Sequence, residues 1–221
     1  MDRVLDISTR STASVRVVSI FLIWLFHLTS NAGVALGFEE WFITKTPLHL
    51  ISMRVLLVLA FPIDNRRKAL LFFSFFLVGM TVEWLGVHTG VLFGTYEYGY
   101  NLGPRLDGIP YLIGVNWAIL AFITACISAA LVKPNWLRAA IGAGLMVFLD
   151  LFIEVSAPRL DYWFFEGGIA PVQNYVMWFI VAYALQLVFQ RSGMKGDLRF
   201  SLHLYAAQLL FFLYFHGITT F

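Results

Sequence analysis

Several ionisable side chains of this chain lie inside long apolar runs. They are Arg54, Glu83, Asp150 and Glu154, with His27 and His88 as weaker members of the set. Because a charge inside hydrocarbon has a large free-energy cost, each such residue is a functional candidate by default. A buried carboxylic acid can donate a proton, and a buried carboxylate can stabilise a developing cation. The pattern indicates acid–base chemistry in an apolar environment.

Asp150 and Glu154 are four residues apart, so on a helix they share one face. If both were ionised in a medium of low dielectric constant they would repel each other, and the simplest relief is for one of them to keep its proton. A carboxylic acid that stays protonated is available as a general acid. The structural alternative is that Arg54 neutralises one carboxylate and the other polar groups join helices by hydrogen bonds.

The elements that must position these groups are membrane spans. Of the 221 residues, 60% are hydrophobic and 13% are charged, whereas a soluble domain carries about 25% charged residues. Apolar runs bounded by charges or turn residues place spans at about 15–38, 46–62, 69–92, 110–132, 137–157, 171–190 and 199–219. Lipid offers no partners for backbone groups, and the runs are longer than the strands of a barrel. We predict an all-α fold, a polytopic membrane bundle of about seven transmembrane helices forming one domain over residues 1–221.

The basic residues predict the orientation of this bundle. One set of alternate loops holds 11 of the 15 Lys and Arg residues, and loops rich in these residues stay in the cytoplasm. The N-terminus is therefore expected in the cytoplasm, in a multi-pass protein of the cell inner membrane. In this arrangement Arg54, Glu83, Asp150 and Glu154 converge in the outer half of the membrane.

The sequence also argues against several classes of function. The basic residues form short clusters at span ends and not a stripe interleaved with aromatics, so no nucleic-acid partner is expected. The five histidines form no HxxxH or HExxH pair, so no metal site is predicted. The predicted spans contain no internal lysine that could carry retinal as a Schiff base.

Two blocks of sequence resemble the integral-membrane carotenoid biosynthesis family, whose best-known members are carotenoid 1,2-hydratases. The first is EWLGVHTGVLFGTYEY at residues 83–98, followed by Leu102-Gly103-Pro104 and Gly108-Ile109-Pro110. The second comprises Asp150-Leu151-Phe152-Ile153-Glu154, Pro158, Tyr162-Trp163, Pro171-Val172-Gln173-Asn174-Tyr175 and Trp178. Together they cover about a third of the chain.

The resemblance implies a hydro-lyase that adds water across the terminal C1–C2 double bond of an acyclic carotenoid end group. The product is a tertiary alcohol, and no cofactor is required. The implied partners are an acyclic or monocyclic carotenoid that enters from the lipid bilayer, and water that arrives from the outer boundary. Isomerisation of the substrate is the alternative that the resemblance leaves open.

The resemblance also suggests roles for the residues found above. Asp150 with Glu154 or Glu83 would form the acid pair, held by Arg54. Asn174 and Tyr96 would position water, and the faces of Trp84 or Trp163 would add cation–π attraction to the carbocation. His88 remains a supporting candidate.

Two functions of other kinds compete with this hypothesis. A non-catalytic transporter or lipid-binding membrane protein could use the same buried charges as a proton relay or binding site. Transporters often show repeated halves, and this sequence shows no repeat. A metal-dependent membrane hydrolase would be distinguished by bound zinc and by loss of activity with a chelator.

Overall fold

The computed structural model describes residues 2–45, 48, 51–52, 55–56, 63 and 65–220. The helices in this part of the chain are α1 (Asp2–Ala35), α2 (Glu39–Thr44), α3 (Arg66–Thr89), α4 (Tyr111–Leu131), α5 (Asn135–Ser156), α6 (Val172–Ser192) and α7 (Leu198–Thr220). The strands are β1 (Tyr96–Tyr98), β2 (Arg105–Leu106), β3 (Ile109–Pro110) and β4 (Trp163–Phe165). Six of the helices, all except α2, are long and apolar enough to cross a membrane.

The predicted all-α, polytopic architecture is confirmed. Each of these six helices coincides with one predicted span. The span predicted at 46–62 and the candidate Arg54 lie mainly or wholly outside the described residues, so both stay predictions. The span predicted to reach residue 92 ends earlier, at Thr89, because Gly90 adopts a left-handed conformation (φ 66°) that terminates α3.

Three parts of the chain meet at one end of the bundle. Arg159, just beyond α5, donates a hydrogen bond of 2.8 Å to Glu39 at the start of α2. It donates another of 3.0 Å to the carbonyl of Ile218, near the end of α7. The Arg159 guanidinium holds the pKa of Glu39 below its usual value, because its hydrogen bonds favour the carboxylate. We call this the outer end, following the orientation predicted from the sequence.

The opposite end brings together α1, the start of α3 and the connection between α6 and α7. Arg16 of α1 forms an ion pair of 2.9 Å with Asp197, and Arg67 donates to the carbonyl of Ser192 at 3.1 Å. Helices α1 and α7 therefore run parallel. Glu39 and Arg67 lie at opposite ends of the bundle.

Helix α4 is the centre of the bundle and packs against α3, α5, α6 and α7. Its sequence is predominantly apolar, which suits both a membrane span and a helix enclosed by other helices. Trp117 and Phe122 on this helix are fully buried. At the outer end, β1 pairs with β4 in antiparallel register, Glu97 opposite Phe164. This pairing ties the loop after α3 to the loop after α5.

The contact between α3 and α4 depends on a glycine. A Cβ added at Gly79 would lie 2.7 Å from the Cβ of Trp117, closer than real side chains approach. We expect Gly79→Ala to lower the free energy of unfolding by about 1–3 kcal/mol through overpacking. Gly144→Ala is the matched control, because nothing lies within 4 Å of a Cβ there. Thermal unfolding in detergent measures both, and equal stability of the two variants would contradict the close packing.

Candidate active site

Glu83 of α3 is the acceptor for three buried donors. Its Oε2 accepts hydrogen bonds of 2.6 Å from the hydroxyls of Tyr96 and Tyr98. Its Oε1 accepts one of 2.7 Å from the indole nitrogen of Trp117 on α4. Only 3% of the Glu83 side chain is exposed. A carboxylate accepts on both oxygens and donates nothing, so this set of partners suits the ionised form.

The two tyrosines reach Glu83 because of the strand on which they lie. Alternate residues of a strand point to the same face, so Tyr96 and Tyr98 turn inward while Glu97 between them is exposed. Gly86 leaves room for this loop, since a Cβ there would lie 2.9 Å from the Tyr96 hydroxyl. Burial, followed by the nearby Glu83 charge, raises the pKa of both tyrosines. Both therefore stay phenols that donate.

The second group of polar side chains joins α5 to α6. The amide nitrogen of Asn174 donates to Oε1 of Glu154 at 2.9 Å and lies 3.4 Å from Oδ2 of Asp150. The indole nitrogen of Trp163 on β4 donates to Oε2 of Glu154 at 2.8 Å. Asp150 is buried, and its Oδ1 has no hydrogen-bond partner among the described residues. One amide thus bridges the two carboxyl groups that the sequence placed on one helix face.

Glu83 and Glu154 face the same small cavity of about 10 Å³. The other lining residues are Phe93, Tyr96, Tyr98, Ile113, Trp163, Phe165, Asn174 and Trp178. A space of this size holds on the order of one water molecule. Trp178 stacks on Trp117 with ring centres 3.9 Å apart and planes inclined by 18°. The cavity is thus a small space walled mainly by aromatic rings, with carboxyl groups from two helices.

The structure brings together most of the residues that the sequence selected. Glu83, Glu154, Tyr96, Asn174 and Trp163 line the cavity. Asp150 does not line it, but contacts the cluster through Asn174.

Trp84 and His88 are placed elsewhere, on the exposed face of α3. The indole nitrogen of Trp84 donates to Asp107 at 2.6 Å, and the Trp84 ring stacks on His88. His88 Nε2 also lies 3.4 Å from Asp107. Neither residue lines the cavity. Among the described residues, no group of three or more His, Cys, Asp or Glu side chains is arranged to hold a metal ion.

Sequence reasoning did not identify Trp117 and Trp178 as parts of this site. The signal for Trp117 is an indole N–H inside a span, which needs a buried acceptor. Glu83, at a similar depth in its own span, is that acceptor. Tyr98 belongs to the first resembling block but was given no role, although its spacing of two from Tyr96 predicts a shared face if the segment is a strand.

Comparison with known proteins places the chain in a family. The family model described as "Carotenoid biosynthesis protein" matches residues 44–221. A curated relative, the bisanhydrobacterioruberin hydratase of Haloarcula japonica, is 28% identical over an alignment of 153 residues, which covers 63% of this chain and 52% of the relative. The chain thus spans about half the length of this relative. No solved structure matches. The matched region includes every described residue of the cavity, and the resemblance seen in the sequence is confirmed: the chain belongs to the carotenoid biosynthesis protein family.

Proposed function

We propose that the protein adds water to the terminal C1–C2 double bond of an acyclic carotenoid end group, by general acid catalysis and without a cofactor. The observation that carries this proposal is the pairing of the buried Glu83 carboxyl group with the partly buried Glu154 carboxyl group across one aromatic cavity in a membrane bundle. Membership of the family and the hydratase named as a relative support the same reaction.

Glu154 is the proton donor in this mechanism. It lines the cavity, whereas Asp150 lies behind it and shares Asn174 with it. Two carboxyl groups so close together in a buried site favour the state in which they share one proton. Glu154 delivers that proton to C2, and the electron pair of the double bond forms the new C–H bond. A tertiary cation remains at C1.

Glu83 is the counter-charge for this cation. Its three donors hold it in place as an acceptor before the substrate arrives, so little reorganisation is needed when positive charge develops. The faces of Trp163 and Trp178 add cation–π attraction. Tyr96 and Asn174, both on the cavity wall, are placed to orient the water.

Water completes the reaction by adding to C1. Its oxygen forms the C–O bond, and the proton that it releases returns to the Glu154 carboxylate. The acid is thereby restored, and the balance is one alkene plus one water giving one tertiary alcohol.

The substrate is proposed to be an acyclic or monocyclic carotenoid drawn from the bilayer of the cell inner membrane, with the N-terminus of the protein in the cytoplasm. A long polyene dissolves in lipid, so a membrane bundle can collect it laterally. The cavity of about 10 Å³ is too small for an end group. Aromatic side chains on its wall must therefore move when the substrate binds.

The proposal is tested with purified protein in lipid vesicles that contain lycopene, in water enriched with heavy oxygen. We expect a product heavier by one water, in which the new hydroxyl carries the heavy oxygen. A product of unchanged mass would show that the protein isomerises the carotenoid and does not hydrate it. No change across several acyclic substrates, with folded protein, would instead favour a transporter or lipid-binding protein.

A further inference from the structure

A large cavity lies apart from the carboxyl cluster. It has a volume of about 530 Å³ and lies between α1, α2, α7 and the loop after α5, with Leu48 and Ser52 also on its wall. Its wall is formed mainly by aromatic and aliphatic side chains, among them Phe26, Val34, Phe211 and Phe215. Ligand pockets commonly measure about 300–1,000 Å³, so the cavity is large enough for a substantial part of a lipid-soluble molecule.

A smaller cavity lies between this large one and the carboxyl cluster. It measures about 50 Å³ and shares Tyr162, Gln208 and Phe212 with the large cavity. At its other side it shares Ile113 and Trp163 with the cavity of Glu83 and Glu154. The three cavities thus form a row in which each neighbouring pair has common walls.

We propose that the large cavity binds the apolar chain of a linear polyene, whose end group then passes Tyr162, Gln208 and Phe212 to reach Glu154. This inference rests on the proposed function for the identity of the ligand. It assigns the binding site and the direction of approach, from the side of α1 and α7. The side chains shared between cavities form the gate that must shift to let the end group through.

One feature of the wall fits the hydrocarbon chain, and a second fits the water that the reaction consumes. The large cavity is predominantly apolar, as a hydrocarbon chain requires, because burying apolar surface is the main gain available to such a ligand. At the junction, the buried Oε1 of Gln208 has no hydrogen-bond partner among the described residues. An unpaired buried acceptor is costly, and a water or hydroxyl group on the path would satisfy it.

The test separates binding from chemistry by using Glu154→Gln, in which bound polyene is expected to be consumed far more slowly. Ser30 lines the large cavity, and Ala32 of the same helix is exposed. Ser30→Trp fills the cavity. We therefore expect this variant, purified from lycopene-accumulating cells, to retain less than about a tenth of the pigment that the parent retains. Ala32→Trp should retain as much as the parent. Pigment absorbance per protein measures both, and equal retention by the two variants would overturn the proposal.

A second measurement avoids a bulky substitution. In protein carrying Ser30→Cys, lycopene should slow the reaction of the new thiol with a lipid-soluble maleimide, whereas Ala32→Cys should react at an unchanged rate. Buried Cys126 is the native cysteine, and the parent protein gives its background. Protection at Ser30 without any hydration by the wild type would keep this site and overturn the proposed function. Hydration by the wild type without protection at Ser30 would keep the proposed function and overturn this binding site.

Discussion

Glu154→Gln is expected to lower the rate of hydration by about 10²–10⁴-fold, the usual contribution of a general acid. Glutamine has nearly the same shape, and its oxygen can still accept from Trp163 or Asn174, which are the partners of Glu154. It has no acidic proton to give to C2. The initial rate of alcohol formation in lipid vesicles is the measurement, with protein folding checked by thermal unfolding.

The comparison with Asp150→Asn decides which carboxyl group is the donor. Asp150 does not line the cavity and acts through Asn174 and Glu154, so its substitution should reduce the rate less than Glu154→Gln. A larger loss in Asp150→Asn would move the donor role to Asp150. Glu166→Gln is the control, because Glu166 is an exposed carboxyl group just beyond β4. Full activity of Glu154→Gln would contradict the proposed mechanism.

Much of the fold follows from the hydrophobic pattern, because lipid permits few alternatives to a helix. The six predicted spans that fall in the described residues are helices, and the alternation of their ends agrees with the ion pairs of Arg159 and Arg16. Periodicity carries less information about the loops. The pairing of β1 with β4 depends on two short segments distant in sequence, which no local pattern specifies.

The sequence predicts those residues of the candidate site that are ionisable side chains inside apolar runs. Glu83, Asp150 and Glu154 stand out because charges are rare inside spans, and the structure places them close together. Their partners were harder to identify. Trp117 resembles an ordinary apolar residue until its indole nitrogen is seen at 2.7 Å from Glu83. Trp84 follows Glu83 directly in α3, and successive residues of a helix are rotated by about 100° about its axis. The side chain of Trp84 therefore lies on a different face from that of Glu83, away from the cavity.

The loss of the Glu83 carboxylate should be the most destabilising single change at the site. Glu83→Leu leaves the hydroxyls of Tyr96 and Tyr98 and the indole nitrogen of Trp117 without their acceptor. Each unpaired buried donor costs about 1–3 kcal/mol, so we expect a large fall in the unfolding temperature in detergent. Hydration should also be lost, because the cation at C1 has no counter-charge.

Replacing the donors of Glu83 together with Glu83 itself should recover stability but not hydration activity. When both partners of a buried hydrogen bond are replaced by apolar groups, the net cost is small. Combining Glu83→Leu with Tyr96→Phe and Tyr98→Phe removes two of the three unpaired donors, and the unfolding temperature should rise above that of Glu83→Leu alone.

The control is Glu97→Leu, because Glu97 is an exposed carboxylate on the same strand. This variant should unfold like the wild type. If the triple variant were no more stable than Glu83→Leu, the cost would lie in packing and not in the unpaired hydroxyls. If it regained hydration, Glu83 would have no electrostatic role, and the cation would have to be stabilised by the aromatic walls and Glu154 alone.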